Sequence, residues 1–286
     1  MKVQKIIAAA AVALVAIYAL AYVLGQAGWQ DLTEELVDRL DAAREPLRPA
    51  SYDPRELEGL PPPVQRYFRA ALRPGQPIVA SVTLAHEGTF DMGEGKPNWK
   101  PFTSEQVVAT RRPGFVWNAT LRIMPGFPVL VHDAYTGGEG LLRVSALGVY
   151  FLVNVPRSQE LDRGELMRWF AEAAWYPTAL LPSQGVRWEP LDDRSARASL
   201  VDGSLRLAMT FFFDDEGLIE RVRADARGRT VGEKVIPTPW EGRWLRYETR
   251  AGMRVPTVGE VAWLLPDGDK PYWRGTITRL EYGFAR

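Results

Sequence analysis

The 286-residue chain has no cysteine and only two histidines, His86 and His132. Without cysteine there can be no disulfide bond, no acylation at a lipobox and no thiol nucleophile, so an ordinary hydrophobic core must stabilise the fold. Both histidines lie among apolar neighbours, and no H-E-x-x-H or similar spacing brings two metal ligands together. We therefore predict neither a metal site nor a cofactor.

The chain also lacks an excess of charge, because its 35 basic and 35 acidic residues give a formal net charge of zero. Interspersed charges argue against nucleic acid as a partner and against a polybasic surface for lipid headgroups. Motifs for nucleophiles and phosphates are missing as well. There is no G-x-S-x-G elbow, and the glycine-rich stretch at residues 137–140 lacks the G-K-[ST] ending of a phosphate loop. We predict a hairpin at this stretch and no catalytic residues.

A long apolar segment lies near the N-terminus. Between Ile6 and Leu24, nineteen consecutive residues carry no charge. At about 1.5 Å per residue they form roughly 28 Å of helix, close to the hydrocarbon core of a bilayer. Lys2 and Lys5 precede the segment and acidic residues follow it. The positive-inside rule therefore predicts a single-pass membrane protein with a cytoplasmic N-terminus and a periplasmic or extracellular domain.

A cleaved signal peptide is the alternative interpretation of this segment. The sequence Ala-Leu-Ala at residues 19–21 has the small-x-small form that a signal peptidase accepts. We favour an uncleaved anchor over residues 1–28, because the apolar run exceeds the usual signal-peptide length of about 7–15 residues and continues past the cleavage motif.

Residues 29–60 are predicted to form a stalk helix and a linker. Asp31 is placed to cap an amphipathic helix that ends near Ala43, and three prolines between residues 46 and 54 then interrupt the chain. Beyond a run of three prolines, residues 64–72 have helical spacing of apolar side chains. This second helix is expected to pack on the domain.

From Ile78 onward the hydrophobic period changes from 3.6 to 2. The clearest alternation covers residues 205–213, between two glycine turns that are typical of hairpins. A helical insertion at about residues 158–182 interrupts the strands. The predicted fold class is mainly β (α+β), with a curled antiparallel sheet or half-barrel of about ten or eleven strands over residues 61–286, helices on its concave face, and one transmembrane helix before it.

One strand-like run, residues 147–155, is apolar on both faces apart from Asn154. Such a run is either a central buried strand or a hydrophobic edge close to the membrane. We favour burial.

The order of elements resembles the lipoprotein-carrier superfamily of LolA and LolB, whose curled sheet wraps helices around a lipid-binding cavity. Three stretches, ELMRW at 165–169, WYPTALLP at 175–182 and PTPWEG at 237–242, also look like a family of uncharacterised membrane-anchored bacterial proteins. These resemblances imply the fold and contribute no catalytic residues. The uncleaved anchor departs from the pattern of a shuttling carrier.

The inserted helix carries the most interesting polar cluster, because Glu165, Arg168 and Glu172 lie along one stripe at i, i+3 and i+7. The stripe is either a solvated charged face or a polar patch at the mouth of a cavity, where Arg168 would orient a headgroup. Ten tryptophans likewise indicate either a core or an aromatic pocket. The candidate ligand-binding residues are Glu165, Arg168, Trp169, Glu172, Trp175, Tyr176, His86 and Trp117.

These observations favour an envelope protein that binds a lipid or other apolar ligand without catalysis. The alternative is a scaffold or sensor that binds another protein through an exposed strand edge or helix face. A hydrolase of envelope material is a weaker hypothesis, because carboxylates at i and i+7 are separated by about 10 Å of helix rise. No specific protein partner is predicted.

Overall fold

A computed structural model of the chain describes residues 2–93, 95–232 and 234–285. Its helices are α1 (Lys2–Ala42), α2 (Pro62–Ala71) and α3 (Gln159–Glu172), and four short 3₁₀ helices cover Pro54–Leu57, Ala173–Trp175, Pro177–Leu180 and Pro182–Gln184. The strands are β1 (Val79–Asp91), β2 (Trp99–Ala109), β3 (Gly114–Met124), β4 (Phe127–Thr136), β5 (Glu139–Ala146), β6 (Tyr150–Asn154), β7 (Arg187–Asp192), β8 (Ser195–Asp202), β9 (Leu205–Phe213), β10 (Ile219–Val231), β11 (Lys234–Arg250), β12 (Met253–Leu265) and β13 (Gly268–Phe284).

The strands form one curled antiparallel sheet in the order β6-β5-β4-β3-β2-β1-β13-β12-β11-β10-β9-β8-β7. The first and last strands pair at its centre, with Leu84 opposite Leu280. The predicted mainly β class is confirmed, but the predicted strand count is wrong, since the described sheet has thirteen strands. Short edge strands such as β7, which contains Pro190, carry little apolar alternation and give a weak sequence signal.

The inner face of the sheet, defined as the face that α2 and α3 cover, holds the main core. Alternate residues of β3 point into it, including Phe115, Trp117 and Leu121. Helix α3 packs on β4, β5, β9 and β10, and thus bridges the two halves of the sheet. Trp175 meets Trp244 edge to face with ring centroids 4.9 Å apart. Large aromatic side chains therefore fill much of the space between α3 and the sheet.

Helix α1 lies on the outer face of the sheet. It continues without a break from the apolar segment, so the separate helix expected to begin at Asp31 does not exist. Leu36 and Leu40 pack on Val116 and Ala134, side chains that alternate with those of the inner face. The amphipathic stripe that predicted a stalk is thus buried against β2, β3 and β4. This helix was expected to be a stalk separate from the domain, and the packing of α1 on the sheet corrects that expectation.

Strand β6 is an exposed edge of the sheet. All five of its residues are exposed, and it pairs with β5 alone. The expectation of a central buried strand over residues 147–155 is therefore wrong. Periodicity could not decide the question, because two apolar faces occur both in buried strands and in edges that meet an apolar environment.

Candidate functional site

The eight candidate residues come together around α3, on the inner side of the sheet. Glu165, Arg168, Trp169 and Glu172 lie on α3, and Trp175 and Tyr176 lie just after it. His86 on β1 and Trp117 on β3 approach from the sheet. Apart from Arg168, each of these residues is at least nine-tenths buried. The charged stripe of α3 is therefore buried against the sheet and is not a solvated face.

Arg168 organises the charges of this region. Its guanidinium donates to Glu172 Oε1 at 2.7 Å, to Asp133 Oδ2 at 2.6 Å and to Gln106 Oε1 at 3.2 Å. The same group lies over the Trp117 ring, 4.9 Å from its centroid. Each guanidinium nitrogen thus has an acceptor, and two of these acceptors are carboxylates. Arg168 thus holds α3 to β2 and β4 through three of its five N–H groups.

Glu165 lies beside the same cluster and pairs with a second arginine, Arg227, at 3.4 Å. Burial, and then the nearby carboxylate of Asp133, raise the pKa of Glu165 well above its usual range despite Arg227. Two buried carboxyl oxygens, Glu165 Oε2 and Asp133 Oδ1, have no hydrogen-bond partner among the described residues. A protonated Glu165 satisfies both, because it can donate to Asp133. We refer to Gln106, Asp133, Glu165, Arg168, Glu172 and Arg227 as the interior network.

His86 occupies an apolar position next to the interior network. Its ring centroid is 4.9 Å from that of Trp175, and its Nδ1 lies 3.4 Å from Ser104 Oγ. Burial, and then the positive charge of Arg168, lower the pKa of His86 to about 3. The histidine is therefore neutral at physiological pH. A neutral, enclosed imidazole packs with the aromatic core and cannot serve as a charged contact for a ligand.

Trp169 and Tyr176 fix the end of α3. Tyr176 donates its hydroxyl to the carbonyl oxygen of Trp169 at 2.6 Å, and the Trp169 indole N–H donates to the carbonyl oxygen of Ala109 at 3.0 Å. Burial, and then Glu172, raise the pKa of the Tyr176 hydroxyl well above its usual range, so this donor keeps its proton. These bonds tie the helix end to β2.

A separate cleft of about 540 Å³ lies beside Trp169, between the β2–β3 turn and the β8–β9 hairpin. We call it the arginine cleft. Its charged lining residues come from turns and strands that are distant in sequence, and they are Glu45, Arg111, Arg112, Arg187, Asp202 and Arg206. Sequence reasoning missed this site because no local motif contains these arginines. The adjacent pair Arg111-Arg112 was the only local signal.

The charges of the arginine cleft are incompletely paired. Arg112 lies 3.4 Å from Asp202, and Arg111 lies 3.7 Å from Glu45. Within the described part of the chain, Arg187 and Arg206 have no ion-pair partner. Four arginines against two carboxylates leave a formal surplus of two positive charges. The cleft thus attracts anions.

Apolar side chains complete the lining. Leu200, Leu207 and Trp169 all border the cleft. Of the eight candidate residues from the sequence, Trp169 alone lines the arginine cleft. The cleft has the volume of a small-molecule site, and its lining is more polar than that of most such sites.

Comparison with known proteins gives a family and several weak structural similarities, two of which are described here. A model described as a family of unknown function, DUF6920, matches residues 58–282, which include all three stretches quoted for the sequence resemblance. No curated protein matches the sequence.

A crystal structure of a LolA superfamily protein from Nitrosomonas europaea is similar at a TM-score of 0.32 and 11% identity, over 75% of this chain and 90% of that chain. A beta-barrel-like protein of domain DUF1849 from Brucella abortus is similar at a TM-score of 0.20 and 11% identity, over 74% of this chain and 100% of that chain.

Proposed function

The chain belongs to the DUF6920 family, whose function is unknown, and from its own geometry we propose that it is a membrane-anchored protein that binds an anionic amphiphile without catalysis. One observation carries the proposal, namely the arginine cleft with its two unpaired cations and its apolar wall. The lipid or apolar ligand expected from the sequence is thereby narrowed to one with a negative headgroup.

The anchor in this proposal is the N-terminal part of α1. Within the described residues, α1 is the one helix whose length and composition suffice to cross a bilayer. The lysines before the apolar segment and the acidic residues after it favour a cytoplasmic N-terminus and a periplasmic or extracellular domain. This arrangement would hold the cleft at a fixed distance from a membrane, which is a source of amphiphiles.

The chemistry of the ligand follows from the two kinds of wall. Arg187 and Arg206 supply planar guanidinium groups that bind phosphate or carboxylate oxygens in pairs. Leu200, Leu207 and Trp169 are largely buried and border the same cleft, so an alkyl chain would lie against the edge of the core there. In this proposal Trp169 contributes to the lining of the arginine cleft. The other candidate residues of α3, together with His86 and Trp117, lie outside the lining and hold the helix on the sheet.

Native mass spectrometry of the full chain, purified in dodecyl maltoside, tests the proposal. The probes are dodecyl phosphate and the cationic dodecyltrimethylammonium, which share an alkyl chain and differ in headgroup charge. We expect a one-to-one complex with dodecyl phosphate alone. The double variant Arg187→Ala/Arg206→Ala should weaken it at least about tenfold, because each hydrogen bond to a charged group contributes about 1.5–3 kcal/mol.

The matched control is Arg197→Ala/Arg250→Ala, which removes the same charge from exposed positions outside the cleft lining. Its affinity for dodecyl phosphate should equal that of the parent chain. Equal binding of both probes, or equal loss in both double variants, would show that the cleft is not the binding site.

A further inference from the structure

Two turns of the sheet lie directly against α1. The turn between β3 and β4 contacts Tyr18, whose hydroxyl donates to the carbonyl oxygen of Gly126. The turn between β5 and β6 contacts Gly25 so closely that a Cβ there would lie 2.0 Å from the carbonyl oxygen of Leu147. Neither contact leaves room for a water layer between helix and turn.

The position of these contacts along α1 is informative. Tyr18 precedes Gly25 by seven residues, or about 10 Å of helix, and lies inside the apolar segment from Ile6 to Leu24. A turn that bonds to Tyr18 therefore reaches the depth of the anchor itself. Strand β6 starts near Gly25 and passes Trp29, whose ring is 6.5 Å from that of Phe151.

The side chains of both turns match an apolar environment. Residues 124–127 and 147–153, which we call the apolar rim, contain no charged residue. Met124 is 55% exposed, Tyr150 70% and Leu152 51%. Single exposed apolar residues are ordinary on a protein surface, but a contiguous group marks an interaction site.

We propose that the apolar rim inserts into the outer leaflet of the same bilayer that α1 spans. This inference rests on the proposed anchor and adds a second lipid contact, made by the sheet. The bilayer is favoured as the occupant over another protein because the rim is continuous with the apolar surface of α1. The proposal also explains the hydrogen bond of the Tyr18 hydroxyl. This hydroxyl donates to a backbone carbonyl oxygen of the turn at a depth where water is scarce.

The rim also shows where insertion must stop. The outer edge of β6 leaves backbone N–H and C=O groups unpaired within the described sheet, and such an edge is not tolerated in hydrocarbon. Strand β6 therefore lies at headgroup level, where Tyr150 is a favoured residue type. Only the turn at residues 124–127 reaches deeper. Arg122, an exposed residue of β3 two positions before this turn, is placed to bind lipid phosphates.

The absence of cysteine allows a direct test with single labels. Met124→Cys and Tyr150→Cys are each labelled with a nitrobenzoxadiazole fluorophore, and the full chain is reconstituted in phosphatidylcholine vesicles. Leu191→Cys is the matched control, because Leu191 is an apolar residue on the opposite edge strand with 50% exposure. We expect lipid-borne nitroxides to quench both rim labels by more than half, and iodide to quench the control most strongly and the label at position 124 least.

The outcomes separate this inference from the anchor. A chain that fails to float with vesicles after carbonate treatment contradicts the anchor. A chain that floats, but whose rim labels are quenched by iodide like the control, contradicts insertion alone. Rim labels shielded from both quenchers mean that protein covers the rim, which also overturns the proposal.

Discussion

The interior network and the arginine cleft both depend on arginine, but they differ in how the charge is satisfied. In the interior network, Arg168 meets two carboxylates at 2.6 and 2.7 Å beneath α3. In the arginine cleft, Arg187 has no ion-pair partner among the described residues and its side chain borders solvent. Buried charges are retained only when they are paired, whereas unpaired cations at a surface are free to bind anions.

This difference separates residues that maintain the fold from residues that are available to a ligand. The sequence pointed to the first group, since α3 carries its charges in a regular stripe. The second group became visible only when the chain was folded. Substitutions in each group test this distinction.

The largest effect is expected for Arg168→Ala. Removing the guanidinium leaves Asp133 and Glu172 as buried charges without their partner, which costs about 3–5 kcal/mol in the free energy of unfolding. Chemical denaturation in mild detergent measures it. Arg187→Ala is the matched control, and a similar loss in both variants would erase the distinction between network and cleft.

His86 is expected to produce the next largest effect, through pH. Its pKa is about 3 in the folded chain and about 6.5 when exposed, so only the unfolded chain takes up a proton between these values. The resulting stability is complete above pH 6.5 and is lost as pH falls. Between pH 6.5 and 4.5 the loss in the free energy of unfolding amounts to about 2–3 kcal/mol. His86→Gln should remove this part of the pH dependence.

His132 provides the comparison for that experiment, because burial, and then Arg143, lower its pKa to about 4. It lies on the outer face, stacked on Trp29 with ring centroids 3.8 Å apart. We expect the loss of stability on acidification that the two histidines cause to disappear in the His86→Gln/His132→Gln double variant and to be reduced in each single variant. An unchanged slope in all three would place the acid sensitivity elsewhere.

Glu165→Gln should have a smaller effect, of opposite sign. A raised pKa means that the folded chain keeps a proton that the unfolded chain releases, so the parent chain loses stability as pH rises above the usual carboxyl range. Glutamine imitates the protonated acid and does not titrate. The variant should match the parent at acid pH and exceed it increasingly toward neutral pH, as followed by thermal unfolding. A variant less stable than the parent at pH 7 would mean that Glu165 is ionised and needed by Arg227.

The smallest effect is expected in the arginine cleft. Arg187→Ala and Arg206→Ala should each change the free energy of unfolding by no more than about 0.5 kcal/mol. Among the described residues, neither arginine has an ion-pair partner that the substitution would leave as an unpaired buried charge. The measurement uses the same denaturation series as Arg168→Ala. A loss above about 2 kcal/mol in either variant would move that arginine into the group that maintains the fold.

The fold class could be predicted from the sequence because alternating apolar and polar residues indicate a half-buried strand directly. The pattern at residues 205–213 is β9, and the helical insertion is α3. Periodicity does not say what covers an apolar face. For this reason Leu36 and Leu40 were assigned to a stalk although they pack on the sheet, and residues 147–155 were expected inside although β6 is exposed.

The candidate site was partly predictable for a similar reason. Residues on one helix or strand share a face at known spacing, so Glu165, Arg168 and Glu172 could be grouped before their partners were known. Arg111, Arg187 and Arg206 occupy three separate segments that meet only through the curl of the sheet. No short-range sequence pattern shows that the curl of the sheet brings these segments together. Their grouping required the tertiary structure.

The unbroken course of α1 has a mechanical consequence. Its 41 residues form a single rod of about 60 Å, with one end in the proposed membrane segment and the other packed on β2, β3 and β4. Spanning helices adapt to bilayer thickness by changing their tilt. With no hinge in the rod, such a tilt would turn the whole sheet by the same angle, and lipid composition would set the direction in which the arginine cleft opens.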